Sequence, residues 1–283
     1  METGILRLRR IFALLSSLAM LITVIGAGEQ KPGYTQPLKT VDFPLAEELV
    51  RAQGITTDGE YYYFSSNYGL LKTELDALTA VAQNAVAIPA ELMALGVKHL
   101  GGITYANGKI YAGAEDSKVF ENLYICVFDS KTLKCIEYRQ VSGSVQENGI
   151  PWVAADSENG ILYSARRDYP EVLNMYDLDT LEFIGTAPID FPVHKVQGGE
   201  VYGGVLYLSV SRDDQAVYAV RLSDGHVKKA LSRNLPGDSE GEGMTVLPTE
   251  DGGFFHVLDI ASVRIAGHLC IYSFNPDTLF DTP

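Results

Sequence analysis

The sequence predicts an all-β protein: a single β-propeller of five four-stranded blades, closed by a strand from near the N-terminus. A motif recurs five times, with spacings of 48, 49, 47 and 45 residues. Short runs rich in Tyr and β-branched residues alternate with Gly, Asn and Asp turns, which indicates strands. After residue 30 no long stretch has the period of a helix. Four strands in each unit of this length are typical of a propeller blade.

Each element of the repeat supports this interpretation. The motif begins at Gly54, Gly102, Pro151, Gly198 and Gly243. Each unit ends in a short apolar strand and an Asp-rich turn, seen as TELDALT, VFDSKTLK, MYDLDTLE, VRLSDGHV and SFNPDTLF. Within the units, Asn107-Gly108 and Gly203-Gly204 predict two-residue hairpin turns.

Closure of the ring is expected to use both ends of the chain. The fifth unit ends at residues 279–283 and leaves no room for an outer strand. Residues 39–43 precede the first blade and are predicted to supply that strand, which removes an exposed sheet edge. A ring of six blades would need a further unit, and we find none in the sequence.

The N-terminal segment predicts export. Three arginines between positions 7 and 10 precede an apolar stretch, and Gly26 and Gly28 are small residues before a cleavage point at Glu29. This is the layout of a secretory signal. An apolar run of this length also fits an uncleaved membrane anchor. The predicted location is therefore extracytoplasmic, either secreted or in the cell envelope, with membrane contact only through this segment.

Domain bounds and composition follow. We expect a signal peptide or anchor at 1–28, a linker at 29–40 and the propeller at 41–283. The 283 residues carry a formal net charge of −14, which becomes −16 without the first 28 residues. Phosphate binding needs clustered Lys and Arg, so the charge excludes nucleic acid as a partner. A hydrophobic fraction of 46% excludes a disordered chain. We expect a monomer whose partner is a small molecule or a peptide.

The predicted site is the rim where the inner strands begin, because several loops converge there on a concave opening. Aligned positions carry a mixed set of polar side chains, as an asymmetric ligand would need. The predicted ligand-binding residues are Gln53, His99, Asn148, Trp152, Lys195, Gln197, Arg166 and Arg212. The alternative interpretation is a water-filled channel whose polar residues bind one another. For Trp152 the alternative is packing between blades.

Catalytic and metal-binding candidates are carboxylates. Glu242 and Glu240 lie two apart in a predicted strand and so point the same way. Burial and repulsion would raise the pKa of one of them and suit acid/base chemistry. Calcium is a candidate ligand of Asp213, Asp116 and Asp259, since Ca²⁺ takes several oxygens. The sequence has no GxSxG elbow, P-loop or GxGxxG fingerprint, and the five histidines have no metal-motif spacing.

The three cysteines form neither a disulfide scaffold nor a zinc-type set. Cys126 and Cys135 are symmetric about Ser130-Lys131. A two-residue hairpin there would place the two cysteines opposite each other, where a disulfide is a candidate after export. Cys270 is left over and is expected to be a buried small apolar residue.

One blade resembles a known family. The matching residues are Gln53-Gly54-Ile55, Asp58, Ser65-Ser66 and Tyr68-Gly69. They resemble the QGL, turn and STxxYG pattern that opens the plant and bacterial type of glutaminyl-peptide cyclotransferase, a secreted five-bladed propeller. Gly102-Ile103-Thr104 is similar to the second-blade GIT of that family, but Gly101 replaces its Glu, and a single Trp replaces several.

This resemblance is close over about one blade and covers the others only as architecture. It implies conversion of an N-terminal Gln to pyroglutamate, with an acidic proton shuttle for which Glu242 is the candidate. The broader likeness is to quinoprotein, strictosidine-synthase-like and calcium-dependent lactonase or nucleotidase propellers. Three hypotheses therefore remain open: a binding propeller, an enzyme of the cyclotransferase or calcium-dependent hydrolase type, and a structural cell-surface scaffold.

Overall fold

The protein is an all-β propeller of five four-stranded antiparallel blades arranged in a ring, which confirms the predicted fold. The computed structural model describes residues 34–43, 48–117, 119–211, 214–235, 239–261 and 266–280. The predicted signal peptide or anchor at 1–28 and its cleavage point lie outside these residues. Within the described ranges, no helix has the length and apolar character needed to cross a membrane.

The first two blades follow the chain from the inner to the outer strand. Blade 1 contains β2 (Gly54–Thr57), β3 (Tyr62–Ser65), β4 (Leu70–Thr73) and β5 (Ala80–Asn84). Blade 2 contains β6 (His99–Ala106), β7 (Lys109–Glu115), β8 (Leu123–Asp129) and β9 (Cys135–Gln140). Two short helices, α1 (Glu48–Arg51) and α2 (Ala90–Ala94), precede β2 and β6.

The remaining blades keep the same order. Blade 3 contains β10 (Ala154–Asp156), β11 (Ile161–Ser164), β12 (Val172–Asp177) and β13 (Phe183–Pro188). Blade 4 contains β14 (Val196–Tyr202), β15 (Val205–Val210), β16 (Ala216–Arg221) and β17 (His226–Ser232). Blade 5 contains β18 (Glu240–Val246), β19 (Gly253–Ile260) and β20 (Gly267–Ser273), with β1 (Lys39–Asp42) as its outer strand. A single 3₁₀ turn, Pro276–Thr278, follows β20.

The predicted closure is confirmed. β1 pairs antiparallel with β20, from Lys39 opposite Ile271 to Asp42 opposite His268. Phe43, which follows β1, donates its backbone N–H to the carbonyl of Gly267 and is buried. The two ends of the described chain thus share one sheet, and β20 is not left as an open edge.

The core is divided among the blade interfaces, because each twisted sheet buries both of its faces against its neighbours. Five buried clusters occupy the five interfaces. The cluster between blades 5 and 1 joins Leu258 and Leu269 to Ile55 and Phe64. Strands buried on both faces explain why runs such as that of β7 are apolar with little polar alternation.

Local turn chemistry sets the hairpins. Asn107 and Gly108 both have positive φ, 52° and 80°, as a type I′ turn requires. Asp129 accepts hydrogen bonds from the N–H and hydroxyl of Thr132, and Leu133 adopts φ 56°. This longer turn brings Cys135 opposite Phe128 rather than opposite Cys126.

The prediction that Cys126 and Cys135 face each other across a two-residue hairpin is therefore wrong. Cys126 lies opposite Tyr138, and a bulge separates the two pairings. All three cysteines are free, with Cys126 and Cys270 buried and Cys135 half-buried. The Asp129 side chain and the left-handed Leu133 insert the extra turn residues that a symmetric reading of the sequence does not contain.

Candidate functional site

Glycines bring the inner strands into contact at the ring axis. A Cβ on Gly243 would lie 2.6 Å from the Cα of Gly54, and one on Gly198 would lie 2.5 Å from the Cα of Gly243. Gly243 donates its N–H to the carbonyl of Gln53 at 2.8 Å. The backbones therefore pinch the channel at this layer, with the predicted rim on one side of it.

A chain of polar contacts joins three blades at that rim. His99 Nε2 lies 2.7 Å from Gln53 Oε1, and His99 Nδ1 lies 3.4 Å from Glu115 Oε1. The other carboxylate oxygen of Glu115 accepts the backbone N–H of Ile150 at 2.8 Å. Gln53 belongs to blade 1, His99 and Glu115 to blade 2, and Ile150 to the entry of blade 3. We call Gln53, His99 and Glu115 the rim triad.

The rim triad depends on a close backbone approach. A Cβ on Gly149 would lie 2.3 Å from Glu115 Oε2, and Gly149 has φ 107°. Glycine therefore serves here both the conformation and the contact. Glu115 is buried, whereas the His99 side chain is 22% exposed. The triad thus has a buried carboxylate at its base and a ring that reaches solvent.

The two predicted catalytic carboxylates lie near one another in β18. Glu242 is 2% exposed, and it precedes Gly243, whose N–H binds the Gln53 carbonyl. Glu240 is half-buried at the start of the strand, opposite Ile260. The neighbouring strands thus bring the backbone of Glu242 beside that of Gln53.

Other predicted rim residues have separate roles. Asn148 is exposed in the left-handed conformation, and Lys195 also has positive φ and is half-buried. Gln197 is half-buried, and its carbonyl packs against Gly102. Arg166 contacts Glu147 Oε2 at 3.2 Å and donates to the carbonyl of Tyr169. These contacts do not join them to the rim triad.

Trp152 lies in the core. It is 1% exposed and belongs to the apolar cluster between blades 3 and 4, with Leu206 and Val220. It also bridges the inner strand of blade 2 through a parallel pairing with Gly102. Its ring packs between blades, the alternative that the sequence left open, and does not form a surface at the rim.

The predicted calcium ligands have protein partners of their own. Asp116 Oδ2 accepts the backbone N–H groups of Glu121 and Asn122. Asp259 forms a buried ion pair with Arg233, N to O 2.5 Å, between side chains that are 3% and 0% exposed. Asp213 and the predicted ligand Arg212 lie outside the described residues. In the described part of the chain, no three Asp, Glu, His or Cys side chains form a metal-binding group.

Below the glycine layer, Glu200 of β14 accepts three threonine hydroxyls. Thr56 and Thr245 donate to Oε2 at 3.1 and 3.2 Å, and Thr104 donates to Oε1 at 3.2 Å. Thr56 and Thr104 in turn accept the backbone N–H groups of Tyr105 and Ala155. This axial hub of Glu200 and the three threonines connects all five blades.

The enclosed position changes the chemistry of the Glu200 carboxyl. Burial, only partly offset by the hydroxyls of Thr56, Thr104 and Thr245, raises its pKa to about 8. Sequence reasoning missed this residue, although a signal was present. The second position after the repeat glycine is Thr in three blades and Glu in the fourth, so the alignment of the blades contained an isolated carboxylate.

Comparison with known proteins adds the following. No family model and no curated protein matches the chain. A chain of the structure named "Crystal Structure of Mitotic Checkpoint Complex" is similar at 9% identity and a TM-score of 0.49, over 88% of this chain and 99% of that chain. An identity this low says nothing about ligand or activity. The resemblance to the cyclotransferase type therefore rests on the first-blade residues alone.

Proposed function

We propose that this protein is a binding propeller that holds a small polar or peptide ligand at the rim of its channel. The observation that carries the proposal is the rim triad. The contact with His99 uses the amide oxygen of Gln53, which leaves the amide nitrogen, with its two N–H donors, for a ligand carbonyl or carboxylate. A buried carboxylate below the ring and a part-exposed ring above it are typical of a positioned binding group.

Export is part of the same proposal. It is supported by the basic start, the apolar stretch and the small residues of 1–28. N-terminal sequencing of the protein recovered from its cells tests it, with a start at Glu29 as the expected result. Recovery of an uncleaved chain in the membrane fraction would favour the anchor instead.

Calorimetric titration with the dipeptide Gln-Gly tests binding at the rim. We expect Gln53→Ala to weaken binding by about 3- to 10-fold, since a lost hydrogen bond is worth about 0.5–1.5 kcal/mol. Gln83→Ala is the matched control, because Gln83 is exposed on β5, the outer strand of the same blade. Absence of binding, or equal weakening by both variants, would contradict the proposal.

An enzyme of the cyclotransferase or calcium-dependent hydrolase type is the second candidate, favoured by the buried Glu242 beside the strand of Gln53. Incubation with Gln-peptides, with and without Ca²⁺, separates it from a binding protein. Turnover that falls at least 100-fold in Glu242→Gln would support acid/base chemistry at that residue, since such catalysis is worth about 10²–10⁴-fold. Binding without turnover would leave the first proposal in place, and neither would favour a scaffold.

A further inference from the structure

A surface groove lies on the outside of the ring, between blades 1 and 2. Its volume is about 650 Å³, and it is bounded by the segment from Asn84 through α2 and by the first residues of β9. Its apolar wall includes Val86, Met93 and Ile136, which are 58%, 38% and 54% exposed. β9 is the fourth strand of its blade, so the groove lies about 14 Å from the inner strand at 4.8 Å per strand. We call it the Cys135 groove.

The groove contains one thiol. Cys135 is half-buried, lines the groove, and packs against the same apolar cluster that contains Cys126. The two thiols hydrogen-bond to each other. This contact with Cys126 is the largest cause that lowers the pKa of the Cys135 thiol, while the same contact and burial raise the pKa of Cys126. Cys126 therefore donates its S–H, and Cys135 carries the charge when one proton is lost.

We propose that Cys135 is a thiol-modification site that takes a small cationic disulfide into this groove and forms a mixed disulfide with one half of it. The charges of the groove support this substrate class. Glu91 and Glu137 line it together with one cation, Lys134, and the whole chain has a formal net charge of −14. An acidic molecule attracts cationic reactants and raises their local concentration.

The reaction balances without a further reactant. Cys135 releases its proton to water, and its thiolate attacks one sulfur of the disulfide. The S–S bond of the small molecule breaks, a new S–S bond forms to Cys135, and the other half leaves and takes up a proton as a thiol. The small disulfide is the oxidant and is reduced, while Cys135 is oxidised.

The strand register favours the mixed disulfide as the end product. Cys126 lies opposite Tyr138 and Cys135 opposite Phe128, across a bulge. Diagonal neighbours in a sheet have Cα atoms about 7–8 Å apart, whereas a disulfide needs about 4.4–6.8 Å. A bond between the two cysteines would require the backbone to move. Cys126 therefore acts as a positioning residue for the Cys135 thiolate.

Reaction of the full chain with cystamine, followed by intact mass and peptide mapping, tests the site. We expect one cysteamine adduct per chain, located at Cys135. Cys135→Ser should abolish it, and Cys270→Ser should leave it unchanged, because burial raises the pKa of Cys270 to about 12. An adduct at Cys126 or Cys270, no adduct, or a bond between Cys126 and Cys135 would overturn the proposal.

The role of Cys126 is tested by the pH dependence of the rate. In Cys126→Ala the midpoint should rise by about one pH unit and the rate below it should fall about tenfold, as the thiolate fraction falls. Cys126→Ser retains an O–H donor and should keep the wild-type midpoint. Circular dichroism confirms that each variant is folded, and the midpoint is a property of the folded molecules alone. An unchanged midpoint in Cys126→Ala would overturn this role.

The substrate class is tested with 3,3′-dithiodipropionate, an aliphatic disulfide of opposite charge. Each rate is divided by the rate of the same disulfide with a free-cysteine peptide. Cystamine should be favoured by about tenfold at low ionic strength, and salt should reduce the difference. A preference for the anionic disulfide would overturn the cationic class. The rim plays no part in these measurements, so they stand apart from the titration with Gln-Gly.

Discussion

Gly243 lies where two inner strands touch, and its missing side chain permits that contact. A Cβ there would be 2.6 Å from the Cα of Gly54 and 2.7 Å from the nitrogen of Ile55. Both are backbone atoms, which cannot turn aside as a side chain can. The repeat glycines that the sequence displays are thus explained by packing at the axis.

We expect Gly243→Ala to reduce the free energy of unfolding by about 1–3 kcal/mol or more, the usual cost of overpacking. Urea denaturation measures it. Gly143→Ala is the control, because its Cβ would meet no atom closer than 3.7 Å and its backbone is not left-handed. That variant should stay within about 0.5 kcal/mol of the wild type. Similar losses in both would contradict packing at the axis as the cause.

At the scale of the element, β1 decides whether the ring is closed. Phe43 follows β1 and packs edge-to-face on Phe64 of blade 1, with ring centroids 5.8 Å apart. The guanidinium of Arg51 lies 4.8 Å from the Phe43 ring centroid. The closing strand is thus held by a sheet pairing to blade 5 and by an aromatic contact with blade 1.

Phe43→Ala should therefore destabilise the fold by about 3–5 kcal/mol, as buried Phe→Ala changes do. Leu38→Ala, at a residue that is 53% exposed just before β1, should have little effect. Thermal unfolding followed by circular dichroism compares them. If the two variants melt together, closure does not contribute to stability as we describe.

The elements also separate what pattern predicts from what it does not. Asn107-Gly108 predicts its hairpin because both residues favour the positive φ that a type I′ turn needs. The hairpin between Cys126 and Cys135 resists such prediction, since the left-handed Leu133 and the Asp129 side chain lengthen the turn. A symmetric spacing in sequence does not reveal a bulge, which depends on the pairing of the whole strand.

At the scale of the whole molecule, the axial hub couples stability to pH. The folded pKa of Glu200, about 8, is raised above the ordinary carboxyl value of 4.5. Between these values the folded state holds a proton that the unfolded state has lost. The stabilisation from this proton is complete below the lower value and is lost as pH rises through the higher one.

We therefore expect the free energy of unfolding to fall by about 1.4 kcal/mol per pH unit through that window, as far as Glu200 contributes. Glu200→Gln cannot ionise, so its stability should depend less on pH. Urea denaturation of both proteins from pH 5 to 9 isolates the contribution as the difference between the two curves. Parallel curves would show that Glu200 ionises equally in both states.

The sequence by itself determined the architecture, because the repeat, the turn residues and the strand patterns are local properties that recur in every blade. It also indicated Gln53 and His99 as neighbours, since aligned blades place equivalent positions on one rim. The tertiary structure alone decided the buried position of Trp152, the pairing of Asp259 with Arg233 and the offset of the two cysteines. It also brought Glu200 to three threonines from three other blades. These depend on which blades face each other and how closely, and distances across a ring are not encoded in spacing along the chain.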